Sequence, residues 1–262
     1  MPLFFGTPGG ALFGCHHRPP MHPGRRTGIV ICGPVGQESI RAHRALKQLA
    51  GQLVRAGFHC LRFDWYGTGD AAGGDSDGRL ERWREDAVSA MDVLRARSGV
   101  ASVALVGLRL GASLAAQAAV DGGGVDGLVL WDPVVDGAVY LDDLAARHRA
   151  RMRSFPVPVK APPAGEPVAE VLGFGLPAAL RSDLAALDLL ALPAPPGPRV
   201  FVVDTGVPTD LGRLRGHLTE LGSRVDVVSI DTPSIWIEDI NKVLVPHAVL
   251  KAITAWLVEQ CP

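Results

Sequence analysis

Short apolar runs alternate with longer helical patterns along most of this chain of 262 residues. That order favours parallel strands joined by covering helices. The predicted strands are residues 28–32, 58–63, 103–106, 128–131, 200–203 and 225–230. The predicted helices are residues 40–56, 80–95, 110–120, 211–221 and 249–258. We therefore expect an α/β fold with a mostly parallel central sheet and helices on both faces.

The alternation is lost between residues 136 and 198. Prolines cluster there between residues 156 and 167, and a polar helical pattern covers about residues 141–151. We expect segment 136–198 to be a lid or cap inserted into a single domain that spans residues 1–262. Near the start of the chain, residues 3–5 and 11–15 predict an antiparallel hairpin at the edge of the sheet.

The charge balance excludes an overall electrostatic attraction to nucleic acid or to an anionic membrane. The 26 Lys and Arg residues face 27 Asp and Glu residues, so the formal net charge is -1. Binding to such polyanions usually needs a basic excess. No apolar stretch approaches the ~20 residues that a membrane span requires. Partners are therefore expected to be recognised by local features of the surface.

The cysteines and histidines do not form the usual metal or disulfide patterns. Cys15, Cys32, Cys60 and Cys261 are scattered without a CxxC pair, and the start of the chain lacks a signal-peptide pattern. We expect a reducing, cytoplasmic location. None of the eight histidines belongs to a cluster with zinc spacing, and the glycine run 67–72 is only a weak match to a dinucleotide fingerprint, so we expect no metal and no cofactor.

One junction carries the most specific motif. The predicted strand 103–106 runs into Gly107-Leu108-Arg109-Leu110-Gly111 and then directly into a helix. The two glycines allow a tight, strained turn that pushes the central side chain, Arg109, to the top of the sheet. The start of the next helix lies beneath that side chain.

With several further segments, this junction resembles the α/β-hydrolase superfamily. Residues 32–36 are similar to the oxyanion-hole loop of that family, and residues 63–70 are similar to its aspartate-aromatic-glycine turn. Residues 107–112, 130–137 and 235–236 resemble a bacterial subgroup of serine aminopeptidase-like, exosortase-associated hydrolases. The resemblance covers most of the chain and implies the α/β-hydrolase fold.

The catalytic residues that the resemblance implies are not found at their positions. A hydrolase triad needs a nucleophile, a histidine and an orienting carboxylate. The family has serine, cysteine or aspartate at the elbow, where this chain has Arg109. The loop that carries the family histidine corresponds to residues 231–236 and contains none. His247 follows about ten residues later, where a surface histidine is the simpler interpretation.

Arg109 is the central candidate for function. Its guanidinium offers only hydrogen-bond donors and cannot be a nucleophile. A buried cation at a helix N-terminus needs a negative partner, and topology favours Glu38 and Asp132. In one hypothesis these carboxylates hold Arg109 in a binding scaffold. In the other, Arg109 clamps a substrate carboxylate, phosphate or enolate beside the backbone N–H groups of Val35 and Leu110.

These observations lead to a functional hypothesis. The candidate catalytic residues are Arg109, Asp132 and Glu38, and the candidate substrate-binding residues are Val35, Leu110, Trp131 and Trp236. We expect a hydrolase-like protein without the serine–histidine pair that binds an anionic or acyl small molecule. It would act as a non-hydrolytic biosynthetic enzyme, such as a cyclase or isomerase, or as a pseudo-hydrolase. The alternatives are a serine-independent hydrolase or thioesterase and a non-catalytic scaffold.

A basic run in the predicted lid adds a further candidate contact. It contains Arg147, Arg149 and Arg151. Such runs are ordinarily solvated helix faces. The more specific hypothesis is a docking patch for phosphate, coenzyme A or an acidic acyl-carrier protein.

Overall fold

An eight-stranded sheet lies at the centre of the protein, and the computed structural model describes residues 1–20, 25–154, 169–236 and 244–261. The strands are β1 (Pro2–Phe5), β2 (Leu12–His17), β3 (Thr27–Cys32), β4 (Cys60–Phe63), β5 (Ser102–Leu108), β6 (Val125–Trp131), β7 (Glu170–Val171), β8 (Phe174–Gly175), β9 (Arg199–Asp204) and β10 (Arg224–Ser229). The helices are α1 (Gly36–Arg55), α2 (Leu80–Ser98), α3 (Leu110–Gly122), α4 (Gly137–Arg153), α5 (Ala178–Ala185), α6 (Leu211–Glu220) and α7 (His247–Gln260).

The order of strands across the sheet is β1-β2-β4-β3-β5-β6-β9-β10, and β7 and β8 form a separate hairpin. The pairs β1/β2 and β2/β4 are antiparallel, and every other pair of the large sheet is parallel. The mostly parallel sheet and the hairpin at its edge are therefore confirmed. The carboxyl ends of the parallel strands meet at one edge, where open α/β sheets bind their ligands.

Alternate residues of each central strand face two different hydrophobic cores. In β3, Ile29 and Ile31 pack in the core that contains α1 and α7. Val30 and Cys32 face the opposite core, which contains α2, α3 and α6. Because helices cover both faces, the central strands are apolar at almost every position, which explains the short apolar runs in the sequence.

The segment 136–198 contains two helices, α4 and α5, which pack in the core that also contains α2, α3 and α6. The predicted pattern 141–151 lies inside α4, whose N-terminus is capped by the Asp136 carboxylate through the backbone N–H groups of Ala138 and Val139. The eight-residue α5 was not predicted, because so short a helix shows little periodicity. The prolines between residues 156 and 167 lie outside the described residues.

We expect two glycine substitutions to act in opposite directions. A Cβ on Gly111 would overlap the carbonyl oxygens of Cys32 and Gly33, so Gly111→Ala should lower the free energy of unfolding by about 1–3 kcal/mol. Gly216 lies exposed within α6 with open space around it, so Gly216→Ala should raise that free energy by about 0.5–1 kcal/mol. Urea titration of both variants checks the pair, and a stable Gly111→Ala protein contradicts the tight contact.

Candidate functional site

A single residue, Arg109, joins β5 to α3 at the carboxyl edge of the sheet. It has φ 55° and ψ -125°, a conformation that costs about 1–3 kcal/mol in a residue with a side chain. A Cβ on Gly107 would overlap the backbone of α3, and a Cβ on Gly111 would overlap the end of β3. The two glycines let these elements approach closely, and this packing holds Arg109 in its strained conformation.

The guanidinium of Arg109 lies in a buried, mixed polar and aromatic setting. Its Nε donates to Glu38 Oε1 at 3.3 Å, and one terminal nitrogen donates to the backbone oxygen of Asp132 at 3.3 Å. The rings of Tyr140 and Trp236 lie 5.4 and 5.2 Å from its central carbon, within cation–π range. Burial opposes the charge, but Glu38, together with Tyr140 and Asp132, outweighs the effect of burial and raises the pKa of Arg109. Arg109 therefore remains a cation, and Glu38 is its internal anion.

Glu38 connects the first turn of α1 with α4. Its Oε1 also accepts a hydrogen bond from Arg147 at 3.2 Å, and its Oε2 accepts one from the hydroxyl of Tyr140 at 3.1 Å. Burial, followed by the nearby Glu38 charge, raises the pKa of Tyr140 well above its ordinary value. The phenol therefore stays protonated and remains a donor to the carboxylate. With only 4% of its side chain exposed, Glu38 is a fixed, fully engaged anion.

Asp132 lies beside Arg109, as topology predicted, but its carboxylate makes a different contact. It accepts hydrogen bonds from the backbone N–H of Thr205 at 2.8 Å and from the Thr205 hydroxyl at 2.7 Å. Burial raises the pKa of Asp132 to about 6. The expectation that this carboxylate pairs with Arg109 is corrected: only its backbone oxygen does so, because the side chain turns toward β9.

Candidate site residues lie around two cavities. The elbow pocket is a cavity of about 460 Å³ lined by Arg109, Asp143, Arg147, Ser234 and an apolar wall of Val135, Val139, Leu190 and Val207. The second, which we call the apolar pocket, is about 90 Å³ and is lined by Val35, Glu38, Leu144, Phe174 and Trp236 among others. Tyr140 and Arg147 line both cavities, so these two side chains of α4 lie between them.

The expected backbone donors lie at the starts of two helices. Leu110 is the first residue of α3, and Val35 is the N-cap of α1. N–H groups at such positions have no acceptor within their helix, so they are suited to bind an oxyanion. Val35 and Trp236 line the apolar pocket, whereas the side chain of Leu110 is fully buried.

Two further expectations are corrected. Trp131 is fully buried in the core that contains α1 and α7 and lines neither pocket, because the alternation along β6 turns it to that face. Arg147 does not face outward as a docking residue, because it bonds to Glu38 and Asp143. Arg149 is half-buried and Arg151 is exposed.

The structure brings no histidine to the site within the described residues. None of them lines either pocket, and His247 is an exposed first residue of α7. The hydroxyl of Ser113, one turn beyond Arg109, donates to the backbone oxygen of Val134 at 2.6 Å and is buried. The site therefore lacks a serine with an adjacent imidazole among the residues that the structure describes.

Three residues of the site were missed by the sequence reasoning. Asp143 precedes Arg147 by four residues, a spacing that indicates an ion pair on one helix face. Tyr140 follows the capping Asp136 by four residues, but nothing local relates it to Glu38. Thr205 lies in the loop after β9 and carries no recognisable signal. Its role depends on the adjacency of β6 and β9 in the sheet.

Solved structures of esterases and hydrolases superpose on nearly the whole chain. The ferulic acid complex of Est1E from Butyrivibrio proteoclasticus has a TM-score of 0.72 at 16% identity, with 98% of each chain covered. An esterase of Pyrococcus furiosus has a TM-score of 0.65 at 15% identity and covers 100% of this chain and 91% of its own. Mouse alpha/beta hydrolase domain-containing protein 10 has a TM-score of 0.58 at 19% identity, with 99% of each chain covered. The chain has the α/β-hydrolase fold.

The sequence comparisons agree with this fold over part of the chain. The family model Hydrolase_4, described as serine aminopeptidase S33, matches residues 39–161, which include the β5-α3 junction. Among curated proteins, none matches this chain. In the α/β-hydrolase fold, the turn between this strand and helix is the nucleophile elbow, so Arg109 stands at the elbow's apex.

No helix in the described part of the chain is both long and apolar enough to cross a bilayer. The described residues also contain no group of three or more metal-binding side chains placed to hold an ion.

We expect Glu38→Ala to destabilise the protein strongly. It leaves the buried Arg109 charge without its main partner, which should lower the free energy of unfolding by about 3–5 kcal/mol in urea titration. Glu259→Ala, at an exposed position of α7, is the control and should change little. The double variant Glu38→Gln/Arg109→Met removes both charges and should recover part of the loss. Equal losses in Glu38→Ala and the control would contradict this account.

We expect Asp132 to make the protein less stable as the pH rises. Its folded pKa of about 6 lies above the ordinary value of 3.8, so the folded state holds the proton more tightly. Stability from this group is therefore full at low pH and is lost as the pH rises through 6. Asn can keep both Thr205 hydrogen bonds, so the Tm of Asp132→Asn should fall less than that of wild type between about pH 4 and pH 6.5.

The control for this measurement is Asp183, whose contribution to stability should change with pH in the opposite direction. The bonded Arg79 guanidinium lowers the pKa of Asp183, so Asp183→Asn should lose stability at neutral pH more than at low pH. Parallel Tm curves for wild type and Asp132→Asn would show that the burial of Asp132 does not carry this pH dependence.

Proposed function

We propose that this α/β-hydrolase-fold protein binds an acyl or carboxylate-bearing small molecule at the elbow without forming an acyl-enzyme. The observation that carries the proposal is the position of Arg109. It occupies the apex of the elbow, and its guanidinium lines the elbow pocket. A guanidinium offers donors and no nucleophile, so the chemistry of this apex is binding and charge stabilisation.

The donors around the apex suit an oxyanion or an enolate. The Nε of Arg109 is used by Glu38, but its second terminal nitrogen lies 3.9 Å from Asp143, beyond hydrogen-bond length. The backbone N–H groups of Leu110 and Val35 lie at the starts of α3 and α1, and Val35 lines the neighbouring apolar pocket. Fixed donors of this kind stabilise negative charge that develops on a carbonyl oxygen. They support a non-hydrolytic reaction such as cyclisation or isomerisation.

The size and lining of the elbow pocket suit a small ligand with one polar end. Its volume of about 460 Å³ lies in the range of small-molecule sites. Val135, Val139, Leu190 and Val207 provide apolar lining, and the cations of the lining are Arg109, Arg147 and Arg213. The fold neighbour Est1E holds ferulic acid, an aromatic carboxylic acid, which supports this class of ligand.

A non-catalytic scaffold is the second candidate, and one observation favours it. The side chains of Arg109 and Glu38 are each only 4% exposed and pair with each other, so most of the cationic charge is already neutralised. In that case Arg109 would hold α1 and α4 together. A contact with an acyl-carrier protein would rest on Arg149 and Arg151, since Arg147 faces inward.

An ester panel tests the absence of acyl-enzyme chemistry. Wild type should not hydrolyse p-nitrophenyl esters or acyl thioesters above the buffer rate, and a fluorophosphonate probe should not label it. Arg109→Ser should behave alike, because no histidine among the described residues lines either pocket. The Pyrococcus furiosus esterase serves as the positive control. Hydrolysis or labelling of wild type would overturn the proposal.

A further inference from the structure

Two arginines of the elbow pocket alternate with two carboxylates: Asp143, which lines the same pocket, and Glu38, which lines the apolar pocket. Glu38 contacts both Arg109 and Arg147, and Asp143 lies 3.9 Å from Arg109 and bonds to Arg147. The two anions differ in burial. The Glu38 side chain is 4% exposed, whereas that of Asp143 is 42% exposed at the wall of the pocket. Glu38 is therefore a fixed counter-ion, and Asp143 is one that solvent reaches.

Asp143 holds Arg147 in the way that a ligand carboxylate would. Its Oδ1 accepts from Arg147 Nε at 3.1 Å, and its Oδ2 contacts a terminal nitrogen of the same guanidinium. This fork-to-fork arrangement is the one by which arginine binds free carboxylates. The same Oδ2 is the Asp143 atom nearest to Arg109. The carboxylate of Asp143 thus occupies the position from which one anion reaches both arginines.

The hold on Asp143 is weak compared with that on Glu38. Asp143 and Arg147 are four residues apart on the same helix, and solvent screens this pair more than the buried pair of Arg109 and Glu38, because the Asp143 side chain is 42% exposed. A rotamer change on α4 would move the carboxylate into solvent without breaking the buried pair of Arg109 and Glu38. The arginines would then be free on their pocket side.

The charge balance sets the kind of anion that fits. With Glu38 and Asp143 in place, two negative charges face two positive ones. With Asp143 displaced, the cluster has one positive charge in excess, which a singly charged anion neutralises. Three further carboxylates, Asp136, Asp188 and Asp210, line the elbow pocket against one further cation, Arg213, so a second negative charge on the ligand meets net repulsion.

We propose that Asp143 is an internal competitor that a ligand carboxylate displaces from Arg109 and Arg147, so that the elbow pocket selects singly charged carboxylates over phosphate dianions. This inference rests on the proposed function, because it needs a ligand to reach Arg109. It identifies Asp143 as the residue that determines how tightly the ligand binds and which ligand charge the pocket prefers.

Calorimetric titration with three probes of one chain length tests the inference: hexanoate, hexanamide and hexyl phosphate. Asp143→Asn keeps the shape of the side chain and removes its charge. The Asp143→Asn protein should bind hexanoate at least about fivefold more tightly than wild type does. Its affinity for neutral hexanamide should stay within about twofold of the wild-type value. Hexyl phosphate should bind more weakly than hexanoate to wild type.

The control is Asp142→Asn, which removes an exposed charge from the same helix at the neighbouring position and should leave hexanoate affinity unchanged. Equal hexanoate affinity in Asp143→Asn and wild type, absence of hexanoate binding to Asp143→Asn, or an equal gain for hexanamide would each overturn the role of Asp143.

A further variant separates this inference from the proposed function. Arg109→Gln in the Asp143→Asn background should lose the hexanoate gain. If Asp143→Asn gives no gain but Arg109→Gln abolishes binding, the proposed function stands and the competitor role fails. If the gain survives Arg109→Gln, the ligand does not contact Arg109, and both fail.

Discussion

The buried ion pair of Arg109 and Glu38 is the interaction on which the rest of the site depends. Either charge alone would be costly in this interior, so the two side chains hold each other in place. Glu38 also accepts hydrogen bonds from Tyr140 and Arg147 of α4. One carboxylate therefore positions the elbow, the start of α1 and the inner face of α4. The wall between the two pockets consists of side chains that this carboxylate binds.

The elbow keeps the backbone geometry of its fold while presenting a different chemical group. The close approach at Gly107 and Gly111 imposes a positive φ on the apex whatever residue stands there. In a hydrolase this strain exposes a nucleophile. Here it holds a planar set of donors at the same edge, beside two helix starts. Under the proposed function, the fold preserves a place for a carbonyl or carboxylate, and the residue at the apex determines the chemistry there.

Much of the fold could be predicted because strands and helices leave local patterns. The buried strands β3, β5, β6 and β9 appear as apolar runs, and α1 and α7 show helical periodicity. The helix α5 was not predicted, because eight residues are too few to show a helical period. For the site, the expectation that Glu38 or Asp132 neutralises Arg109 followed from the need of a buried cation for an anion. The directions of the Trp131 and Arg147 side chains could not be predicted, because each side chain could point to either side of its strand or helix.

Residue types and short spacings along the chain were enough to predict the sheet, the elbow and the absence of a serine at its apex. The folded chain was needed to show which carboxylate neutralises Arg109, that Asp132 turns to Thr205, and that two side chains of α4 lie between two cavities. These contacts join residues that are between 71 and 109 positions apart in the chain. Competition among several nearby charges decides them, and that competition depends on distances and burial that no local pattern contains.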